Sequence, residues 1–198
     1  MLYRALNQPW IYKLSAAILS PGNREIFDRK IRKTIESFAA TRFYLDVGCG
    51  PRSWLNDLGL HTIGVDISLP YIMDHSRSGN SGVVASAVYL PFEGSRFDAV
   101  WTVGLLHHLT DSTFEETCLE MLRVCRPGGY VAILDAVYPH SVWARPIPAL
   151  LRKFDRGRYV RDQQHFESLA AKTGNWYIQR FTYSRNGLEA VFALQIRE

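Results

Sequence analysis

The chain has 198 residues, 47% hydrophobic and 21% charged, an ordinary balance for one globular domain with a full core. Its three cysteines, Cys49, Cys118 and Cys125, are too few and wrongly spaced for a disulfide framework or a zinc site, so no metal is expected and the compartment is expected to be cytoplasmic. No run of about 18 apolar residues exists to cross a membrane, and the net charge of +4 is unevenly spread: residues 1–44 carry +5, residues 45–136 carry −6 and residues 137–198 carry +5.

Near the start, Ile11, Leu14, Ile18 and Leu19 stand at helical spacing, and Pro21-Gly22 ends that segment. Lys13 interrupts its apolar run and no small-residue cleavage site follows, which argues against an export signal. A second helix is expected from Asn23, burying Ile26, Phe27, Ile31, Ile35 and Phe38 and presenting Arg29, Lys30, Arg32 and Lys33. Residues 1–42 thus read as a helical cap.

From Phe43 the pattern becomes short apolar strands separated by helical stretches. Phe43–Val47, Thr62–Val65, Val83–Ala85, Ala99–Val103 and Tyr130–Leu134 read as strands, several of them apolar throughout, as strands covered on both faces are. Ser112-Thr113-Phe114-Glu115 reads as a capping box opening a helix that buries Phe114, Cys118, Met121, Leu122 and Cys125; Pro127-Gly128-Gly129 is expected to stop it. An insert follows, Ala136 to about Tyr159, then a helix around Asp162–Lys172. Trp176–Ser184 and Leu188–Arg197 read as two strands joined at Asn186-Gly187, a strong hairpin signal. The expected fold is α/β: a doubly wound, mostly parallel seven-stranded sheet with an antiparallel C-terminal hairpin. Residues 1–198 form one domain in this reading, with core 43–135, insert 136–161 and closing helix and hairpin 162–198.

Leu45-Asp46-Val47-Gly48-Cys49-Gly50-Pro51 is the most informative stretch. A strand ends, and Gly48 and Gly50 let the backbone turn sharply and approach a ligand without a Cβ in the way. Ligands of open parallel sheets sit beyond the carboxyl ends of the strands. Asp46 would be costly to bury unless it accepts hydrogen bonds, which a cationic or NH-rich ligand supplies. Twenty residues later Asp66 stands at the tip of the next strand, where an acid can hold ribose hydroxyls. The third glycine of a pyrophosphate fingerprint is missing, and an acid before the first glycine suits an ammonium group better than pyrophosphate.

With these motifs the sequence resembles the class I S-adenosylmethionine-dependent methyltransferases, in the broad subgroup that includes quinone-biosynthesis enzymes. The likeness runs from Tyr44 to Leu134. It is carried by Leu45–Pro51, Gly64-Val65-Asp66-Ile67-Ser68, Leu90-Pro91-Phe92, Arg96–Val100, Leu106-His107-His108-Leu109 and Leu122–Gly129, in that order. The resemblance implies S-adenosyl-L-methionine as cofactor. Asp46 and the turn Gly48, Cys49, Gly50 would line its methionine part, Asp66 its ribose, and Ile67, Ser86 and Ala87 its adenine, with Val103 and Gly104 close to the sulfonium. Two positions depart from the family pattern: Arg52 stands where a further glycine is common, and Ser86 where an acid is.

Methyl transfer needs alignment of nucleophile and sulfonium, and a general base only where the acceptor holds its proton tightly. His107 and His108 are the candidate bases; packing, or capping the helix near Ser112, is their competing role. The flanks 1–42 and 136–161 are basic and aromatic, with Arg152-Lys153-Phe154-Asp155-Arg156-Gly157-Arg158-Tyr159-Val160-Arg161 the densest basic run. They suggest a small amphipathic or anionic acceptor and peripheral contact with an anionic membrane. Two alternatives stand beside this: a non-catalytic cofactor-binding or scaffold protein, and an RNA methyltransferase. The acidic core makes a poor nucleic-acid surface. The sequence is silent on oligomeric state.

Overall fold

The computed structural model of the protein describes residues 20–38, 41–140, 146–153 and 157–198. The expected N-terminal helix with Ile11, Leu14, Ile18 and Leu19 lies outside them, as do the flank aromatics Tyr3, Trp10, Tyr12, Trp143 and Phe154. In chain order the elements are α1 (Asn23–Ser37), β1 (Tyr44–Val47), α2 (Trp54–Asp57), β2 (Thr62–Asp66), α3 (Leu69–Arg77), β3 (Ser81–Val84) and β4 (Phe97–Val103). A 3-10 turn (Leu106–His108), α4 (Asp111–Val124), β5 (Cys125–Val137), α5 (Pro146–Lys153), α6 (Gln163–Ala170), β6 (Tyr177–Thr182) and β7 (Glu189–Ile196) complete them.

The seven strands form one sheet in the order β3-β2-β1-β4-β5-β7-β6. β1 pairs in parallel with β2 and β4, β2 with β3, and β4 with β5, while β7 runs antiparallel to β5 and β6. The expected fold class therefore stands, hairpin included. Gly187 takes φ +83 in the turn between β6 and β7, and Tyr183 N–H donates to Leu188 O at 2.9 Å to close it.

Alternation along the strands divides the core into two layers. Leu45, Val47, Val100, Val131 and Ile133 pack with Phe114, Cys118 and Met121 of α4 and Phe166 of α6. Tyr44, Ala99, Trp101, Tyr130, Ala132 and Leu134 pack on the other face with Ile31 of α1 and Leu55 of α2. Trp101 is fully buried and keeps its polar atom paired, its Nε1–H donating to Tyr130 Oη at 3.3 Å. Burying such a ring contributes roughly 3 kcal/mol.

Two local expectations need correction. α4 is capped by Thr110, not Ser112: Thr110 Oγ1 accepts from Thr113 N–H, and Ser112 donates to Glu116 at 3.1 Å. Pro127-Gly128-Gly129 does not stop that helix, which ends at Val124. It lies within β5, where the β4 register shifts, and Gly129 is there because a Cβ would stand 2.5 Å from Asp98 O.

The densest basic run is also not a surface patch as a whole. Arg152 is 3% exposed and donates to Val137 O and, at 2.6 Å, to Glu189 O. Arg161 is likewise buried. The Arg152 guanidinium ties α5 to the sheet and that of Arg161 ties the insert to the 3-10 turn and the start of α4, and Arg158 alone of the run's described basic side chains is exposed.

Candidate functional site at the carboxyl ends of the strands

The site is built where β1 and β4 separate into loops. Leu45 and Val47 point into one layer, so the intervening Asp46 must face the other, toward α2. It is 2% exposed. Ser53, the N-cap of α2, donates from its Oγ to Asp46 Oδ2 at 2.5 Å. Asp46 Oδ1 is buried and has no hydrogen-bond partner among the described residues. Burial pushes this carboxyl up to about 7; Ser53 opposes the rise and nearby Asp66 adds to it. An orphaned carboxylate oxygen held beside a glycine turn is a position for a cation or N–H donor.

The turn itself is tight. Gly48 and Gly50 adopt φ +74 and +62, and the N–H groups of Gly48 and Cys49 both donate to Val65 O. A Cβ at Gly48 would meet Leu105 at 2.9 Å, whereas one at Gly50 would meet nothing within 4 Å. The chain's own Leu105 thus demands the first glycine, and the second borders open space. Cys49 is buried with its thiol pushed well above the ordinary range by burial, so it fills space and is no nucleophile. Its Sγ would lie 2.6 Å from a Cβ on Gly64, which explains the glycine inside β2.

Asp66 closes the next side. Its Oδ2 accepts from Gly50 N–H at 3.1 Å and its Oδ1 from Ser68 N–H at 2.8 Å. Burial raises its pKa, and the two backbone donors oppose that. A carboxylate offers about four lone-pair sites, so two backbone bonds leave capacity for a diol. Ile67 beside it is 76% exposed, an apolar side chain without an apolar cover. Ser86 and Ala87 are half-buried on the loop after β3, and Arg52 pairs with Asp57 at 2.6 Å.

On the β4 side, Val103 is buried, and Gly104 takes φ +72 while its N–H donates to Leu134 O at 2.8 Å. The 3-10 turn that follows carries both histidines. His108 is exposed and lies against the His107 ring, centroids 4.2 Å apart. His107 is held differently: its Nδ1 is 2.5 Å from Asp135 Oδ1. Asp135 is buried at the end of β5, and its Oδ2 also accepts from Leu106 N–H at 2.5 Å and His107 N–H at 3.2 Å. A carboxylate only accepts, so the neutral imidazole carries its proton on Nδ1 and its lone pair on Nε2. That nitrogen lies between Cε1, 3.7 Å from where a Gly104 Cβ would be, and Cδ2, against which Gly157 packs. The His107 ring therefore stands between the β4 turn and the insert.

Asp135 is the functional residue the sequence reading missed. It ends an apolar strand as Asp46 does, and that shared signal could have found it. What is assembled is a cleft at the carboxyl ends of an open α/β sheet: a carboxylate with one orphaned oxygen, a second acid held by backbone N–H groups, an exposed apolar side chain and a His–Asp pair.

Residues 45–133 match the family model described as a methyltransferase domain. This match supports a class I S-adenosylmethionine-dependent methyltransferase. It is 36% identical over 117 residues to a tRNA (carboxymethyluridine(34)-5-O)-methyltransferase of Arabidopsis thaliana, which covers 58% of this chain and 27% of that protein. It is 28% identical over 131 residues to a demethylmenaquinone methyltransferase of Corynebacterium urealyticum, covering 65% of this chain and 56% of that one. Among solved structures, the [4+2]-cyclase SpnF shares the fold with a TM-score of 0.67 over 86% of this chain and 81% of that chain, at 15% identity. The chain spans only about a quarter to a third of the first curated relatives it matches.

Proposed function

We propose that this chain binds S-adenosylmethionine in the cleft and transfers its methyl group to a small acceptor that must give up a proton. The His107–Asp135 pair beside Gly104 carries this reading. When bound, the cofactor supplies a methyl group made electrophilic by the sulfonium. Asp46 Oδ1 would accept from its ammonium group, the turn Gly48, Cys49, Gly50 would line the methionine part, and Asp66 would hold the ribose hydroxyls. Ile67, Ser86 and Ala87 would hold the adenine. Val103 and Gly104 would line the sulfonium side, with no side chain at the second position.

His107 Nε2 would accept the acceptor's O–H proton and leave its oxygen as the nucleophile for the methyl group that the cofactor would supply. Asp135 keeps the Nδ1 proton and stabilises the imidazolium that forms. His108, exposed and tilted against the His107 ring, takes no proton in this scheme. Such a base is needed for a phenol, quinol or alcohol, and the likeness to a demethylmenaquinone methyltransferase supports that class. Tyr138 and Tyr159 of the insert supply aromatic surface for it.

The likeness to a tRNA methyltransferase favours a second reading, an RNA acceptor. A carboxymethyl oxygen is already ionised at neutral pH and has no proton to surrender, so there the pair would be idle. The test joins binding and transfer. Calorimetry with S-adenosylhomocysteine comes first; no binding at millimolar ligand supports a non-catalytic scaffold. Transfer of labelled methyl from S-adenosylmethionine is then compared on a panel of phenols and quinols and on tRNA that bears carboxymethyluridine. Transfer to the phenolic panel that collapses in His107→Ala supports the proposal. Transfer to tRNA alone, undiminished in His107→Ala, overturns it.

A further inference from the structure

Arg161 lies outside the family match and touches neither the glycine turn nor the His107 ring through any bond described, yet it spends its whole donor set on the turn that carries His107 and on the residues that flank it, Asp111 and Tyr159. Its Nη1 donates to Leu106 O and to Tyr159 O, both at 3.0 Å. Its Nη2 donates to Leu109 O and to Asp111 Oδ1, both at 2.7 Å, and its Nε to Asp111 Oδ1 at 2.9 Å. All five N–H donors of the guanidinium are therefore engaged. The group is buried and stacks 5.1 Å from the Phe114 ring centroid.

These partners have a common geometry. Leu106 and Leu109 bracket the 3-10 turn, so their carbonyls fix its two ends. Asp111 opens α4 immediately afterwards. Tyr159 N–H donates to His107 O at 3.0 Å, and Arg161 bridges Val137 at the end of β5. Asp135 takes the turn's N–H groups from the sheet side while Arg161 takes its carbonyls from the insert side.

We propose that Arg161 is a positioning residue: it clamps the Leu106–Leu109 turn so that the His107 ring keeps its Nδ1–H on Asp135 and its Nε2 between Gly104 and the insert. This rests on the proton-accepting role proposed for His107. Lysine cannot replace it, because a point ammonium with three donors cannot span carbonyls and a carboxylate that a planar fork reaches at once.

The experiment reads the ring directly and needs no acceptor. In uniformly 15N-labelled full chain, the short His107–Asp135 bond gives a far-downfield Nδ1–H resonance, assigned by its loss in His107→Gln. In Arg161→Lys its exchange with water should accelerate about tenfold, as expected for loss of a hydrogen bond to a charged group. S-adenosylhomocysteine affinity and the β1 and β2 amide resonances should stay as in the wild type. An unchanged exchange rate, even with a lower melting temperature, overturns the proposal by making Arg161 merely structural. Should Arg161→Lys fail to fold, Asp111→Ala leaves the three carbonyl bonds and removes the anchor; exchange should quicken in the same direction by about threefold, and no change there also overturns it. Neither outcome depends on His107 being the base, which the His107→Ala transfer assay tests separately.

Discussion

Asp46 makes cofactor binding a titration. Its carboxyl sits near pKa 7 because burial removes water and Ser53 alone compensates one oxygen. If the ammonium of the cofactor binds only the ionised carboxylate, the apparent affinity scales with the ionised fraction. That fraction is about one in eleven at pH 6 and about one half at pH 7. Affinity should rise about fivefold over that interval, near 1 kcal/mol, and level off above it. An alkaline decline beyond about pH 8 belongs to the cofactor's own amine. Isothermal calorimetry of S-adenosylhomocysteine in two buffers of different ionisation enthalpy measures both affinity and protons, and close to one proton should be released per ligand at pH 6. Asp46→Asn should bind about tenfold to a hundredfold more weakly, as loss of a charged hydrogen bond implies, and should lose the acid limb only. The unliganded chain reports the same group with opposite sense. Folding raises this carboxyl above its ordinary value of 3.8, so stability is greatest below that value and is lost as pH climbs through about 7. Asp46→Asn should lack that decline. A wild-type affinity flat from pH 6 to 7.5, with no proton release, refutes the reasoning.

Three further outcomes follow from the geometry. His107→Ala should lower methyl transfer about a hundredfold or more, the usual share of a general base, with S-adenosylhomocysteine affinity unchanged; Asp135→Asn should fall in the same direction, checked by initial rates on whichever phenolic acceptor is turned over. Gly157→Ala places a Cβ 2.1 Å from the His107 ring, so it should displace the ring or the insert and destabilise the chain by about 1–3 kcal/mol; a denaturant melt and the rate assay read both effects. Arg152→Ala leaves the carbonyls of Val137 and Glu189 buried without their donor and should lower the melting temperature by about 5–10 °C, a loss that Arg158→Ala, exposed, should not share.

Much of this architecture is legible in one dimension because it is local. Strand and helix periods alternate from Tyr44 onward, and each strand appears within a few residues of where its apolar run lies. Asp46, Gly48, Gly50 and Asp66 are recognisable because a strand end, a tight turn and a second strand tip follow at short spacing. The misjudged features are those settled by neighbours far along the chain. Thr110 and Ser112 compete for the same helix start on equal propensity, and the fixed position of Asp111 under Arg161 accompanies the earlier cap. Arg152 and Arg161 read as surface charge because a basic run ordinarily is; that they turn inward depends on carbonyls of β5, β7 and the 3-10 turn.

The sequence by itself determined the class of fold, the glycine turn with its acid, and the place of the two histidines, because each is encoded by a periodicity or spacing within about thirty residues. Only the tertiary structure decided that Asp135 holds His107, since it reaches the ring from a neighbouring strand 28 residues away. It alone decided that one oxygen of Asp46 is orphaned, and that the first glycine answers to Leu105 while the second borders open space. Those facts depend on which side chains arrive opposite one another, and parallel strands pair residues whose separation the sequence does not display.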